Sequence, residues 1–143
     1  MSYPRYTYKA GKYLTSFEFV SVGKRGSIKK VVGYAPMSNP RIYNLGFGDW
    51  NEETQEVDDS NGDMVKVLST VVATMYEFTE VYPEIAVYAT GSNETRTRLY
   101  RINIAKHLAI LQQDFYVYGQ NSDGSFETFE VNKEYIGFMV KRK

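Results

Sequence analysis

The sequence predicts an α+β fold in a single domain spanning residues 1–143. It would be a mixed, mostly antiparallel sheet with two long helices packed on it. Three observations predict this. Strand-like alternation of apolar and polar residues occurs at both ends of the chain, in runs joined by short Gly-containing turns. Two segments near the middle instead repeat apolar residues every three or four positions and enclose one short apolar run. The chain is 143 residues long, 43% apolar and 15% aromatic, enough to bury one core.

Residues 12–22 alternate, with Tyr13, Thr15, Phe17 and Phe19 on one face of a strand. Gly23-Lys24-Arg25-Gly26 is a hairpin turn, because its glycines accept positive φ. Residues 27–35 return as the second strand, and 41–48 form a third, in which Gly46 and Gly48 suggest a bulge or close backbone approach. Residues 49–63 hold seven acids and no base and read as a long loop. Its end, Ser60-Asn61-Gly62-Asp63, has the chemistry of a helix cap. Met64, Val67, Leu68, Val71, Val72, Met75 and Phe78 give a broad apolar stripe on a helix over 64–81, which Pro83 ends. The run 84–90 is a short strand with both faces apolar, and 94–112 is a second helix. Strands follow at 114–119, 125–131 and 135–141, with a turn at Ser122-Asp123-Gly124. The order is βββαβαβββ, and the strand between the helices is expected to lie parallel to its neighbour.

Composition excludes several function classes. With no Cys there is no disulfide framework and no thiolate nucleophile, and with His107 as the single His there is no two-His metal site. No metal site is expected. No apolar run approaches the ~20 residues that span a bilayer, which points to a cytoplasmic domain with no membrane partner. The 17 basic and 17 acidic residues cancel, but they are segregated. Residues 1–47 carry eight bases and one acid, 48–94 one base and eleven acids, and 95–143 eight bases and five acids.

The stretch most able to carry chemistry is 89–101. An apolar strand ends, Gly91-Ser92-Asn93 turns, and a helix opens with Thr95, Arg96, Arg98 and Arg101. Unpaired N–H groups and the dipole at a helix N-terminus favour an anion, and arginine forks suit phosphate or carboxylate. The structural alternative is that Asn93 or Ser92 caps the helix and the arginines meet the acidic loop. A second candidate is a partner surface of Lys24, Arg25, Lys29 and Lys30 at the first hairpin, complementary to Asp58 and Asp59. Basic residues interleaved with aromatics there would also suit single-stranded nucleic acid. The acidic loop lacks the D-x-[DN]-x-[DN]-G spacing of a calcium loop. Trp50 beside Asp49 reads as a core edge or the lip of a pocket.

The segments FEFVSVGKRGSIKKVV (17–32), YNLGFGD (43–49), SNGD (60–63), KVLSTV (66–71) and YATGSNETRTRLYR (88–101) resemble an uncharacterised family of small proteins from Bacteroidetes-type bacteria, a domain of unknown function. That resemblance covers nearly the whole chain and implies no activity. A more remote resemblance is to the coenzyme-A-dependent N-acetyltransferase superfamily, whose later half shares the strand and helix order. Asn93, Arg96, Leu99 and Tyr100 stand at the spacings of its second motif, with Arg96 in place of a small residue. The resemblance implies coenzyme A as a cofactor and Tyr100 as general acid. The superfamily's pyrophosphate loop is missing, however: residues 58–63 are acidic where it should stand. No cofactor is established by the sequence.

Three readings follow. A non-enzymatic binding or regulatory module, with a protein partner or self-association, fits the missing catalytic groups and the segregated charge. An enzyme acting on a phosphorylated or acyl-carrying small molecule would use the anion site, with Tyr100 or Asp49 as acid or base. Nucleic-acid binding would use the basic hairpin.

Overall fold

The computed structural model describes residues 4–49 and 62–143. Its elements are β1 (Lys9–Ala10), β2 (Ser16–Gly23), β3 (Gly26–Pro36), β4 (Ile42–Asp49), α1 (Met64–Val81), β5 (Ala86–Ala89), α2 (Glu94–Lys106), α3 (Leu108–Asp114), β6 (Phe115–Gln120), β7 (Phe126–Thr128) and β8 (Gly137–Arg142). The fold is α+β, as the sequence predicts. Eight strands form a mixed sheet in the order β1-β2-β3-β4-β5-β8-β6-β7. Among the described helices none is long and apolar enough to cross a membrane. The chain groups into two compact units, Met1–Ala35 with Leu45–Tyr82, and Pro36–Asn44 with Pro83–Lys143.

In the first unit β2 and β3 pair antiparallel from Ser16↔Gly33 to Gly23↔Gly26, with Lys24 and Arg25 at the tip and Gly26 at φ +87°. The alternation holds from Ser16 onward: Phe17, Phe19 and Ser21 are buried and Val20 and Val22 exposed. It does not extend back to Tyr13, which is 65% exposed. A turn closed by the Gly11 N–H on the Ser16 carbonyl, with Leu14 at positive φ, delays the strand. Gly48 makes no close approach, since a Cβ there would meet nothing within 4 Å.

Helix α1 begins and ends where its apolar stripe does. Val67, Leu68, Val71, Met75 and Phe78 are buried, and the Phe78 ring stacks on Tyr34 at 4.3 Å. The buried Thr70, Thr74 and Thr79 hydroxyls donate to the carbonyls of Lys66, Val71 and Met75, so their polar atoms are satisfied without leaving the helix. The Asp63 side chain does not cap α1. Its carboxylate instead accepts from the Tyr6 hydroxyl at 2.6 Å and from the Ser21 hydroxyl, while its carbonyl accepts the Val67 N–H.

The N-terminal segment, with no strand in the sequence reading, is held by tyrosines. Tyr6 stacks on Phe19 at 5.6 Å, and its N–H donates to Thr70. The Tyr8 hydroxyl donates to Glu77 at 2.5 Å, and burial together with that carboxylate pushes Tyr8 up to about 12. Directly after them β1 pairs with Phe17 and Glu18.

In the second unit the start of β4 pairs parallel with β5, Ile42↔Ala86 to Asn44↔Tyr88. β5 pairs antiparallel with β8, β8 with β6, and β6 with β7. Phe115, Val117, Phe138 and Val140 are buried on one face. β5 is not enclosed throughout: Ala86 and Val87 are buried, Tyr88 and Ala89 half-buried. The predicted helix over 94–112 is two helices, because His107 interrupts it. The ring is 1% exposed, and its Nδ1 donates to the Asn103 carbonyl at 2.9 Å. Burial and Lys106 hold this imidazole below its ordinary value. β7 stops at Thr128, and the rest of the predicted strand, 129–131, departs into a loop.

Phe78→Ala should destabilise the protein by about 3–5 kcal/mol, because a fully buried ring and its stack on Tyr34 are lost together. Urea denaturation followed by far-ultraviolet circular dichroism measures this.

Candidate ligand-binding cleft

An open cleft of about 850 Å³ lies at the end of β5, lined by Thr90, Gly91, Asn93, Glu94, Thr95, Thr97, Arg98, Arg101, Asn121, Ser122 and residues Lys133–Ile136. Crevices beyond the carboxyl ends of strands are where open sheets bind ligands, since loops there diverge. One wall is the first turns of α2. Asn93 caps that helix: its side-chain oxygen accepts the Arg96 N–H at 2.8 Å, and its carbonyl accepts the Thr97 N–H. The Thr97 hydroxyl donates to the Asn93 carbonyl and accepts the Gly91 N–H at 3.1 Å. Gly91 is required by closeness, because a Cβ would collide with the Thr97 backbone nitrogen.

The predicted anion residues divide. Gly91, Asn93, Thr95, Arg98 and Arg101 line the cleft, whereas Ser92 and Arg96 do not. Arg96 sits one turn before Tyr100 and hydrogen-bonds its hydroxyl. Burial pushes Tyr100 up to about 12, with Arg96 opposing the shift. Among the described residues no carboxylate forms an ion pair with Arg98 or Arg101.

The opposite wall was not visible in the sequence. It belongs to residues 121–136, whose geometry is set by Glu127. That carboxylate accepts from Lys133 Nζ at 2.7 Å on each oxygen, from Asn121 at 2.9 Å and from the Tyr135 hydroxyl at 2.8 Å. The Lys133, Asn121 and Tyr135 donors hold Glu127 down to about 2. The same tyrosine oxygen accepts the Glu130 N–H at 3.0 Å. Tyr135 lies flat over Gly119, where a Cβ would come within 2.5 Å of its ring. Lys133 is therefore already engaged, whereas among the described residues Arg98 and Arg101 form no ion pair, and Glu94 and Glu134 line the same cleft. The signal that could have located this wall is the Glu127–Lys133–Tyr135 spacing, but such spacing is common in loops.

The hairpin residues also divide. Lys30 lies on the core face opposite Phe19 and is 7% exposed, so it cannot join an outward patch. Lys29 pairs with Glu18 at 3.1 Å, the Lys24 stem lies against Gly62, and Arg25 stands at the tip. Asp58, Asp59 and Trp50 lie outside the described residues, as does the side chain of Asp49, whose backbone ends β4. Among the described residues no three His, Asp or Glu side chains converge on a metal-binding position.

The fold and cleft define a small α+β protein with a polar crevice at the end of β5. The chain belongs to a family of unknown function, DUF6934, whose family model matches residues 2–143. No curated protein and no solved structure matches the chain.

Glu127 is predicted to titrate near 2 rather than near its ordinary 4.5. Its depressed value means that its contribution is complete above about pH 4.5 and is lost as the pH falls toward about 2. Carboxyl-carbon NMR titration measures the midpoint. Lys133→Ala should raise it toward 4.5, and a parent midpoint already at 4.5 would disprove the network.

Proposed function

We propose that the protein is a cytoplasmic, non-enzymatic binding module whose cleft takes a small phosphorylated or carboxylated molecule. The observation that carries this is the placement of Arg98 and Arg101, one helical turn apart, on the same open cleft. Their guanidinium groups would hold the anionic group through charge-assisted, paired hydrogen bonds. Glu94 and Glu134 border the same space and would accept hydrogen bonds from hydroxyl or amino groups of the ligand. The preferred ligand is thus an anion that also carries donors.

Catalysis is not needed to account for these residues. Tyr100, the acid implied by the acetyltransferase resemblance, is turned to Arg96 and does not line the cleft. Its proton is held tightly by burial, which disfavours donation near neutral pH. The acetyltransferase reading would require the cofactor to reach Tyr100 by another route, and the missing pyrophosphate loop supplies none.

Calorimetry and thermal shift with inorganic phosphate, a sugar phosphate, a nucleoside monophosphate and coenzyme A test the reading. Binding should weaken about tenfold or more in Arg98→Ala and in Arg101→Ala, as expected for loss of a charged hydrogen-bond partner. Tyr100→Phe should bind like the parent. Absence of any shift with all four ligands at millimolar concentration would remove the proposal.

A further inference from the structure

A second surface stands on the other face of the sheet in the same unit. Phe115, Val117, Phe138 and Val140 point into the core, so the alternate residues of β6 and β8 point the other way. Those residues are Tyr116, Tyr118, Met139 and Lys141. Pairing puts Tyr88 beside Met139, Met139 beside Tyr118, and Lys141 beside Tyr116. Gln120 pairs with Phe126, which places that ring on the same face, and it meets Tyr88 edge-on at 6.2 Å.

Two of these rings are open to solvent: Tyr116 is 52% exposed and Phe126 41%. The Lys143 ammonium lies 5.5 Å from the centre of the Tyr116 ring, and Lys141 Nζ reaches the Pro83 carbonyl at 2.8 Å. Among the described residues neither lysine forms an ion pair with a carboxylate. The strands β5, β6 and β8 contain no carboxylate, and the one on β7, Glu127, pairs with Gly119 on the opposite face and is held there by Lys133 and Tyr135. Asp123, in the turn beyond Gln120, is bonded to the Ser125 N–H and hydroxyl. Asp114, just before β6, lies near the same end, where its carbonyl accepts the Lys143 N–H at 3.0 Å. The face therefore combines exposed rings with two lysines at one end.

We propose that this face binds single-stranded nucleic acid. Bases would stack on Tyr116 and Phe126, with Tyr118 and Met139 forming the floor between them, and Lys141 and Lys143 would meet phosphates. Every base offers a π-face, so a sheet surface of this kind tolerates sequence, and the lysines supply the salt-dependent attraction. A duplex hides its base faces and would not use the rings. This surface is separate from the cleft and does not depend on the small-anion reading.

Fluorescence anisotropy of the full chain with labelled twelve-nucleotide oligo-U, oligo-dT and a matched duplex tests the proposal. Both single strands should bind more tightly than the duplex; a preference for oligo-U would assign RNA and a preference for oligo-dT would assign DNA. With two phosphate contacts, affinity should fall about sevenfold between 50 and 200 mM salt. Tyr116→Ala and Phe126→Ala should each weaken binding about tenfold. Lys141→Glu with Lys143→Glu should abolish binding and its salt dependence. These side chains are exposed or at the sheet's end, and unchanged circular dichroism confirms that the variants fold. No anisotropy change at 100 μM protein would overturn the proposal, as would equal binding of duplex or binding lost only in Arg98→Ala and Arg101→Ala. A change of oligomeric state on mutating the two rings, without nucleic-acid binding, would instead make the face a contact between copies and would equally overturn it.

Discussion

The parallel pairing of β4 with β5 organises this chain more than any other contact. Antiparallel neighbours can be joined by a few residues, but parallel ones need a long crossover to return the chain to the same edge. The sequence between Asp49 and Ala86 supplies that length, and α1 lies within it. The parallel register from Ile42↔Ala86 also fixes which end of β5 is its exit. At that exit the backbone turns through Thr90 and Gly91 into α2. The crevice lies where that strand stops, between the start of α2 and the segments that follow β6 and precede β8.

Tyrosine explains much of the remaining organisation. The chain has 13, and several serve two functions at once. Tyr34 stacks on Phe78 while its hydroxyl meets Thr74 at 2.8 Å. Tyr6 covers Phe19 and donates to Asp63, and Tyr135 caps Gly119 and donates to Glu127. Each ring adds apolar burial and each hydroxyl satisfies a carboxylate or hydroxyl that would otherwise be costly to bury. Acidic residues are in this way tied to neutral donors as well as to lysines. Net neutrality of the sequence therefore does not imply that its acids and bases find one another.

What was legible in the sequence follows from how local each signal is. α1 was readable to the residue because a repeated apolar stripe and a following proline are both local. The β2–β3 hairpin was readable because its turn glycines and alternating strands adjoin. The break at His107 was not, because 94–112 has acceptable helical periodicity throughout, and only tertiary burial of an imidazole interrupts it. β1 is two residues long and depends on pairing with Glu18 and Phe17. Half of the candidate site was legible, since the strand–turn–helix at 89–101 is contiguous. Its other wall comes from 121–136 and meets the first half only through sheet order. Direction along a helix also escaped the sequence: Arg96 and Arg98 are two residues apart and so face apart, one toward Tyr100 and the other into the cleft. Lys30 escaped for the same reason on a strand, where adjacent residues alternate faces and Lys29 took the outward one.

The missing side chain at Gly119 has a kinetic consequence. Tyr135 occupies the space that a Cβ would take, and its hydroxyl ties Glu127 and the Glu130 backbone into the same wall. The segment bearing Lys133–Ile136 is thus keyed into a strand, and moving it outward would require withdrawing an aromatic ring from the sheet. A molecule entering the cleft would meet a mouth already formed, so its arrival would be governed by diffusion and charge rather than by waiting for a wall to open. Its departure would be governed in turn by the contacts it makes inside. Residence time, more than rate of capture, would then be the property that side chains on this wall tune.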